Sequence, residues 1–163
     1  MYDPASALHG KEAVFAAHPE IPAVVALQTL ATNAKFDRNE LTVTVARENI
    51  LAATQAVKAA GYNFLEDVTA VDWYPSEPRF QITYHLLSHA LKSRVRLIAL
   101  LSGDEPAIDS IIPVWPSANF YEREVFDLFG VHFGGHTNLK RIMMPEDWQG
   151  NPLRKDYPVE GYR

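Results

Sequence analysis

Phe80-Gln81-Ile82-Thr83-Tyr84-His85-Leu86 decides the architecture of this chain, because Phe80, Ile82, Tyr84 and Leu86 alternate with Gln81, Thr83 and His85. Successive side chains of a strand point to opposite faces, so this period of two describes a strand with one apolar and one polar face. Val95, Leu97, Ala99 and Leu101 repeat the period, and the short interval between the two runs predicts an antiparallel hairpin. Residues 68–74 are β-rich and add a third strand. Before them, residues 48–60 place Leu51, Thr54 and Val57 at helical spacing, with Glu48 at one end, Lys58 near the other and Gly61 as a left-handed stop. Leu41, Val43 and Val45 alternate with Thr42 and Thr44, and the apolar run 23–30 reads as the other arm of a hairpin across a polar loop at 33–39. Lys11–Ala17 predicts a short helix, halted by Pro19 and Pro22, which lack an N–H donor.

Ser102-Gly103-Asp104-Glu105-Pro106 ends the sheet, and the composition then shifts toward Pro, Trp, Phe and charged residues. Residues 1–103 therefore read as an α+β scaffold, and residues 104–163 as an appended helix and long tail of the same single domain. A chain of 163 residues with 47 % hydrophobic and 21 % charged residues is suited to one core. The net charge of -5, with no cluster of Lys and Arg before the C-terminal segment, excludes a nucleic-acid footprint. The absence of cysteine excludes disulfides, thiol catalysis and thiolate ligands for iron–sulfur clusters. The stretch between Glu20 and Lys35 is uncharged but carries Pro22, Gln28, Thr29 and Asn33, and falls short of the roughly 20 apolar residues of a membrane span. Met1-Tyr2-Asp3-Pro4 has neither the basic start nor the apolar run of a secretory signal, so the chain is expected to stay where it is made.

The richest stretch is Trp115-Pro-Ser-Ala-Asn119-Phe-Tyr-Glu122-Arg-Glu-Val-Phe-Asp127-Leu-Phe-Gly130. Asn119 is placed to cap a helix, Glu122 to complete a capping box and Gly130 to close the far end. At helical spacing Arg123, Glu124 and Asp127 share one face, with Arg123 able to pair with Asp127, while Tyr121, Val125, Leu128 and Phe129 cover the apolar face. Glu122 points between Phe126 and Phe129. It either caps the helix or needs a cation, for which Lys140, Arg141, Arg154 and Lys155 are the downstream donors. In the following tail Leu139, Ile142 and Met143 make one short helical face, but Pro145, Pro152 and Pro158 forbid a long helix. The last twenty residues are therefore expected to be extended. An extended tail cannot bury Trp148, Leu153, Arg154 and Tyr157 against itself, so a partner groove is the expected place for them. The alternative is a tail that folds back over its own sheet or is disordered.

Two chemical readings compete with docking. The six histidines include His85 with His89 and His132 with His136, at the spacing of helical zinc pairs. However, His85 ends an alternating strand, and Gly134-Gly135 interrupts any helix between the second pair. Glu122, Glu124 and Asp127 could be offered as paired catalytic carboxylates, but acids beside Arg123 on one helix face fit an ion-pair surface better. No glycine-rich phosphate loop or dinucleotide fingerprint is present.

Glu122-Arg-Glu-Val-Phe-Asp-Leu-Phe-Gly130, Gly135-His136, Leu139-Lys-Arg-Ile142 and Gly150-Asn-Pro-Leu-Arg-Lys-Asp-Tyr-Pro158 together resemble the NuoC family, the C subunits of bacterial NADH:quinone oxidoreductase, respiratory complex I. Val68-Thr-Ala-Val-Asp72 is similar as well. Thr137, Lys140 and Asn151 stand where the family usually has proline, arginine and histidine, which leaves the loops around His136 and Asn151 open. The resemblance implies a two-layer α+β fold in the order helix, two strands, helix, three strands, with a mixed sheet of about five strands, then a C-terminal helix and tail. It implies a non-redox structural subunit of the peripheral arm, packed beside the D subunit with the B and I subunits nearby. The chain would lie on the cytoplasmic side of the bacterial cell membrane, attached through partners and without inserting. It would hold no cofactor and have no active site of its own. FMN and Fe-S clusters in partner subunits would carry electrons from NADH to quinone. The equivalent subunit of a membrane-bound nickel–iron hydrogenase or a coenzyme-F420 dehydrogenase is the alternative. The expected site is a lattice in which Glu122, Arg123, Glu124 and Asp127 pair with Lys140, Arg141, Arg154, Lys155 and Asp156, partly across to the D subunit. His136, Trp148, Leu153 and Tyr157 complete that surface.

Overall fold

The computed structural model describes residues 7–162, so the N-terminal stretch Met1-Tyr2-Asp3-Pro4 read for a secretory signal lies outside it. Elements follow in the order β1 (Leu8–His9), α1 (Lys11–Ala17), α2 (Pro22–Ala26), β2 (Ala31–Asp37), β3 (Glu40–Val45), α3 (Ile50–Ala59), β4 (Phe64–Asp72), β5 (Phe80–Ser88), β6 (Ser93–Leu101), β7 (Ala107–Asp109), α4 (Ala118–Phe129) and β8 (His132–Gly134). The main sheet has strand order β1-β2-β3-β6-β5-β4, and β7 and β8 form a second sheet of two. In the main sheet β3 and β6 run parallel and the other neighbours antiparallel, so it is mixed.

The alternation in β3, β5 and β6 becomes cross-strand rows on the inner face. Val68 lies opposite Tyr84, Tyr84 opposite Leu97 and Leu97 opposite Val43. Leu65, Leu86, Val95 and Leu41 make the row on one side, and Ala70, Ile82, Ala99 and Val45 the row on the other. All of these are buried in one core that also takes Val14 and Phe15 of α1, Val24 of α2, Ile50 and Val57 of α3, and Val125 and Phe129 of α4. Each fully buried large aliphatic side chain stabilises the fold by about 1.5–3 kcal/mol relative to exposure.

One strand lies elsewhere than expected. The run 23–30 is not the first arm of the hairpin: Pro22 opens a helical turn, where its missing N–H costs nothing, and the strand is Ala31–Asp37, in the segment that reads as loop. The turn is tight, with Arg38 and Asn39 both at positive φ, the twist that suits a two-residue hairpin connection. β4 also starts earlier than expected and stops at Asp72. Gly61, at φ 99, closes α3: its N–H reaches Lys58 O and the N–H of Tyr62 reaches Val57 O, which is a Schellman stop.

Candidate docking site

Trp115, Pro116 and Ser117 already turn before α4 begins, with the N–H of Ala118 on Trp115 O and that of Asn119 on Pro116 O. Asn119 therefore lies inside the helix and the expected capping box does not form. Glu122 is fully buried and reaches back past its own helix start. It accepts the Ser110 hydroxyl at 2.6 Å and the Ile111 N–H at 2.7 Å, and so caps the turn in which Ile111 O accepts the N–H groups of Val114 and Trp115. Among the described residues its one ion-pair contact is with His136, whose Nε2 is 4.0 Å away. Burial pushes the Glu122 carboxyl up to about 7 against the pull of those two hydrogen bonds. None of Lys140, Arg141, Arg154 and Lys155 pairs with it, because the tail that carries them is bound to other groups of α4 and the sheet.

Asp127 is the opposite case. It is also without solvent exposure, and its Oδ1 meets Arg141 Nη1 at 2.6 Å. Its Oδ2 accepts three consecutive backbone N–H groups, of Ile142, Met143 and Met144, at 2.9, 2.7 and 2.9 Å. Burial alone would raise this carboxyl, but the three amides and Arg141 hold it below its ordinary range. Arg123 does not make the expected pair with Asp127; it donates to Lys140 O and Arg141 O at 3.1 and 3.0 Å, so helix and tail are joined side chain to backbone in both directions.

The end of α4 explains why the tail passes there. A helix leaves its last four carbonyls without internal donors. Here Phe126 O takes the Gly130 N–H, Asp127 O takes Asn151 Nδ2 at 2.9 Å, Leu128 O takes the Leu153 N–H at 3.0 Å and Phe129 O takes Arg154 Nε at 2.6 Å. The tail is the C-cap. Gly130, at φ 73, is required twice over: a Cβ there would stand 2.6 Å from Asn151 Oδ1 and 2.8 Å from an Arg154 guanidinium nitrogen.

The tail is then fastened to the scaffold. Asp72 ends the inner row of β4, opposite Phe80, and carries a carboxylate where Val68 and Ala70 carry methyl groups. Arg79 grips it with Nε and Nη2 at 2.9 and 2.8 Å, and reaches Asp156 of the tail at 3.0 and 2.7 Å. Asp72 also accepts the N–H of Tyr74 and that of Lys155. Burial opposes its charge, yet these donors draw the Asp72 carboxyl down to about 2. The hydrogen bonds to Asp72 and Asp156 in turn raise the Arg79 guanidinium.

The expected lattice is therefore redrawn. Asp127 with Arg141 and Asp156 with Arg79 are ion pairs within the chain, and Arg154 caps α4 and lies over the Phe80 ring at 5.1 Å. Glu124 is exposed and makes no ion pair among the described residues, and Lys140 and Lys155 join through their backbones. Of the two readings of the tail, folding back over its own scaffold holds for Arg154, Lys155 and Asp156, because Asp72, Arg79 and the open end of α4 supply a groove for them. The segment around Leu139, Ile142 and Met143 makes turns instead of a helical face, since Asp127 holds its amides. Met143, Trp148, Leu153 and Tyr162 remain exposed along the path, while Tyr157 packs edge-on against Tyr162. Spacing alone does not single out Asp72, Arg79 or Ser110. Asp72 carries a readable sign, since an acid in the inward phase of an apolar strand needs a cation.

Residues 43–163 match the family described as respiratory-chain NADH dehydrogenase, 30 Kd subunit. The NADH-quinone oxidoreductase C subunit of Citrifermentans bemidjiense is 48 % identical over 144 residues, which are 85 % of this chain and 89 % of that protein. The protein of the same name from Geobacter sulfurreducens is 49 % identical over 126 residues, 76 % of this chain and 78 % of that one. Among solved structures, a trypsin-resistant fragment of Nqo5 is similar at 35 % identity and a TM-score of 0.58, covering 61 % of this chain and 83 % of the fragment. A chain of the membrane-bound sulfane sulfur reductase, an archaeal respiratory membrane complex, is similar at 26 % identity and a TM-score of 0.75, over 86 % of both.

Proposed function

The chain belongs to the family of respiratory-chain NADH dehydrogenase 30-kDa subunits, and from that premise we propose that it works by docking, without chemistry of its own. It is a subunit of an NADH-quinone oxidoreductase of the complex I type. Within that assembly it packs beside the D subunit, with the B and I subunits nearby, as a non-redox part of the peripheral arm. FMN and iron–sulfur clusters in the partner subunits pass electrons from NADH to quinone. Among the described residues no helix is long and apolar enough to cross a membrane. The chain reaches the cytoplasmic face of the cell membrane through its partners.

One observation carries this reading. Arg123, Asp127, Arg141, Arg154 and Asp156 of the signature are engaged in fixing the tail's course over α4 and the sheet, and that course leaves Met143, Trp148 and Leu153 facing outward. Apolar side chains held on a rigid path are the composition of an interface centre. The sulfane sulfur reductase likeness indicates that a similar fold serves another respiratory complex, but the higher identities are to C subunits of NADH-quinone oxidoreductases.

Affinity purification of the tagged chain from its native cell tests the assignment. The B, D and I subunits with their clusters are expected to co-purify, and recovery of a nickel–iron large subunit in their place would overturn it. The purified chain should neither oxidise NADH nor reduce quinone. Trp148→Ala combined with Leu153→Ala should lower the amount of assembled complex more than the turnover of each complex; normal assembly with lost turnover would contradict a docking role.

A further inference from the structure

We propose that Glu122 is a proton-binding site of the folded chain, and that Glu122, Ser110 and His136 form a proton-controlled fastener between α4 and the small β7–β8 sheet. The carboxyl is fully buried beside Ile111, and it takes no ion pair from Lys or Arg among the described residues. His136 does not supply the missing charge. Its Nδ1 receives the Asn138 N–H at 3.0 Å, and a backbone amide can only donate, so that nitrogen is a bare acceptor. The ring proton is then on Nε2, 3.3 Å from Asn119 O, and the imidazole is neutral in this arrangement.

Burial without a cation favours the acid form of Glu122 over the anion, although its two contacts are donated to it. Oε1 accepts the Ile111 N–H and Oε2 accepts the Ser110 hydroxyl across 2.6 Å. In the acid form the Oε2 proton takes over that second contact by donating to Ser110 Oγ, which also accepts the Ile112 N–H at 3.2 Å. As the anion it keeps two neutral donors for about four lone-pair sites, in a place closed to water. Tyr84 of β5, also fully buried, is a further titratable group facing it, and its hydroxyl has no hydrogen-bond partner among the described residues. Burial first, then the nearness of Glu122 and of Asp109 on β7, push the Tyr84 phenol well up, so it stays uncharged. Loss of the Glu122 proton therefore leaves a buried negative charge with no counterion at the junction of Ser110, α4 and the loop carrying His136. That junction relaxes when the proton leaves for solvent and re-forms when it returns.

Infrared spectroscopy of the full-length chain between pH 5 and 9 tests this without any substitution. A protonated-carboxyl band is expected to persist where exposed carboxylates are ionised and to fade as the pH passes about 7. Denaturant titration gives a second readout: the folding equilibrium constant of the wild type should fall by about thirty-fold between about pH 5.5 and 8.5 relative to Glu122→Gln, whose amide keeps both contacts and cannot ionise. A wild-type spectrum with no protonated carboxyl above pH 6, or a Glu122→Gln protein with the same pH slope as the wild type, would overturn the proposal. If the variant does not fold, the wild-type spectrum alone decides.

Discussion

Glu122 and Asp127 are both carried into the fold by α4 and neither touches solvent, yet they meet opposite surroundings. On the side of the β7–β8 sheet Glu122 finds a hydroxyl, one amide and a neutral imidazole, and burial raises it to about 7. On the side of the tail Asp127 finds Arg141 and three amides, and is lowered. Asp72 belongs with Asp127, since Arg79 and two amides bring it to about 2. Burial is common to all three, so the donors decide which form is kept. The tail is held by charge, and the helix is seated on the scaffold by neutral contacts.

The sharpest way to break this contrast is Arg79→Ala. It leaves Asp72 buried without a counterion and frees Asp156, and should cost about 3–5 kcal/mol in chemical denaturation, with the tail cut sooner by protease. Arg79→Lys should restore little, because one ammonium cannot face two carboxylates side-on. Asp127→Asn comes next. It removes the charge that Arg141 faces, for an expected loss of about 2–3 kcal/mol, read from the same denaturation curves.

The pH response separates the two regions by sign. Asp72 is lowered on folding, so its contribution of about 2 kcal/mol is present above pH 4 and is lost as the pH falls from about 4 toward 2. Glu122 is raised, so its contribution is complete below about pH 4.5 and is lost as the pH climbs toward 7. Unfolding measured across pH should therefore show two limbs, the acid one flattened by Asp72→Asn and the upper one by Glu122→Gln. The smallest effect belongs to Glu124→Ala. With an exposed side chain and no ion pair among the described residues, it should change the stability of the isolated chain by less than about 0.5 kcal/mol, whereas any larger change would place Glu124 in the clasp.

Strands β3, β5 and β6, helix α3 and its glycine stop are legible in the sequence because each depends on local periodicity and on one backbone conformation. The strand Ala31–Asp37 is not, since its small and polar residues face outward at Thr32 and Asn33 and alternate weakly. For the site, the sequence names Asp127, Arg141, Arg154 and Asp156, which do engage within the chain, but does not single out Asp72 or Arg79, and it gives Arg123 the wrong partner. Arg123 with Asp127 is the natural helical pair, but the tail offers Arg123 two carbonyls and Asp127 three amides, and backbone groups brought in by tertiary folding leave no mark in side-chain spacing. The position of Glu122 shows that it needs compensation, for which a cation is the obvious candidate. Ser110 and the proton are the less visible answer.

Hydrogen exchange of the isolated chain, followed by mass spectrometry on peptides from 139–158, tests most directly that the tail is clasped by its own scaffold. Peptides reporting on the amides of Ile142, Met143, Met144, Leu153 and Lys155 should be protected in the wild type. Arg79→Ala should release Lys155 before Met143. A wild-type tail that exchanges as fast as an unfolded peptide would contradict the account.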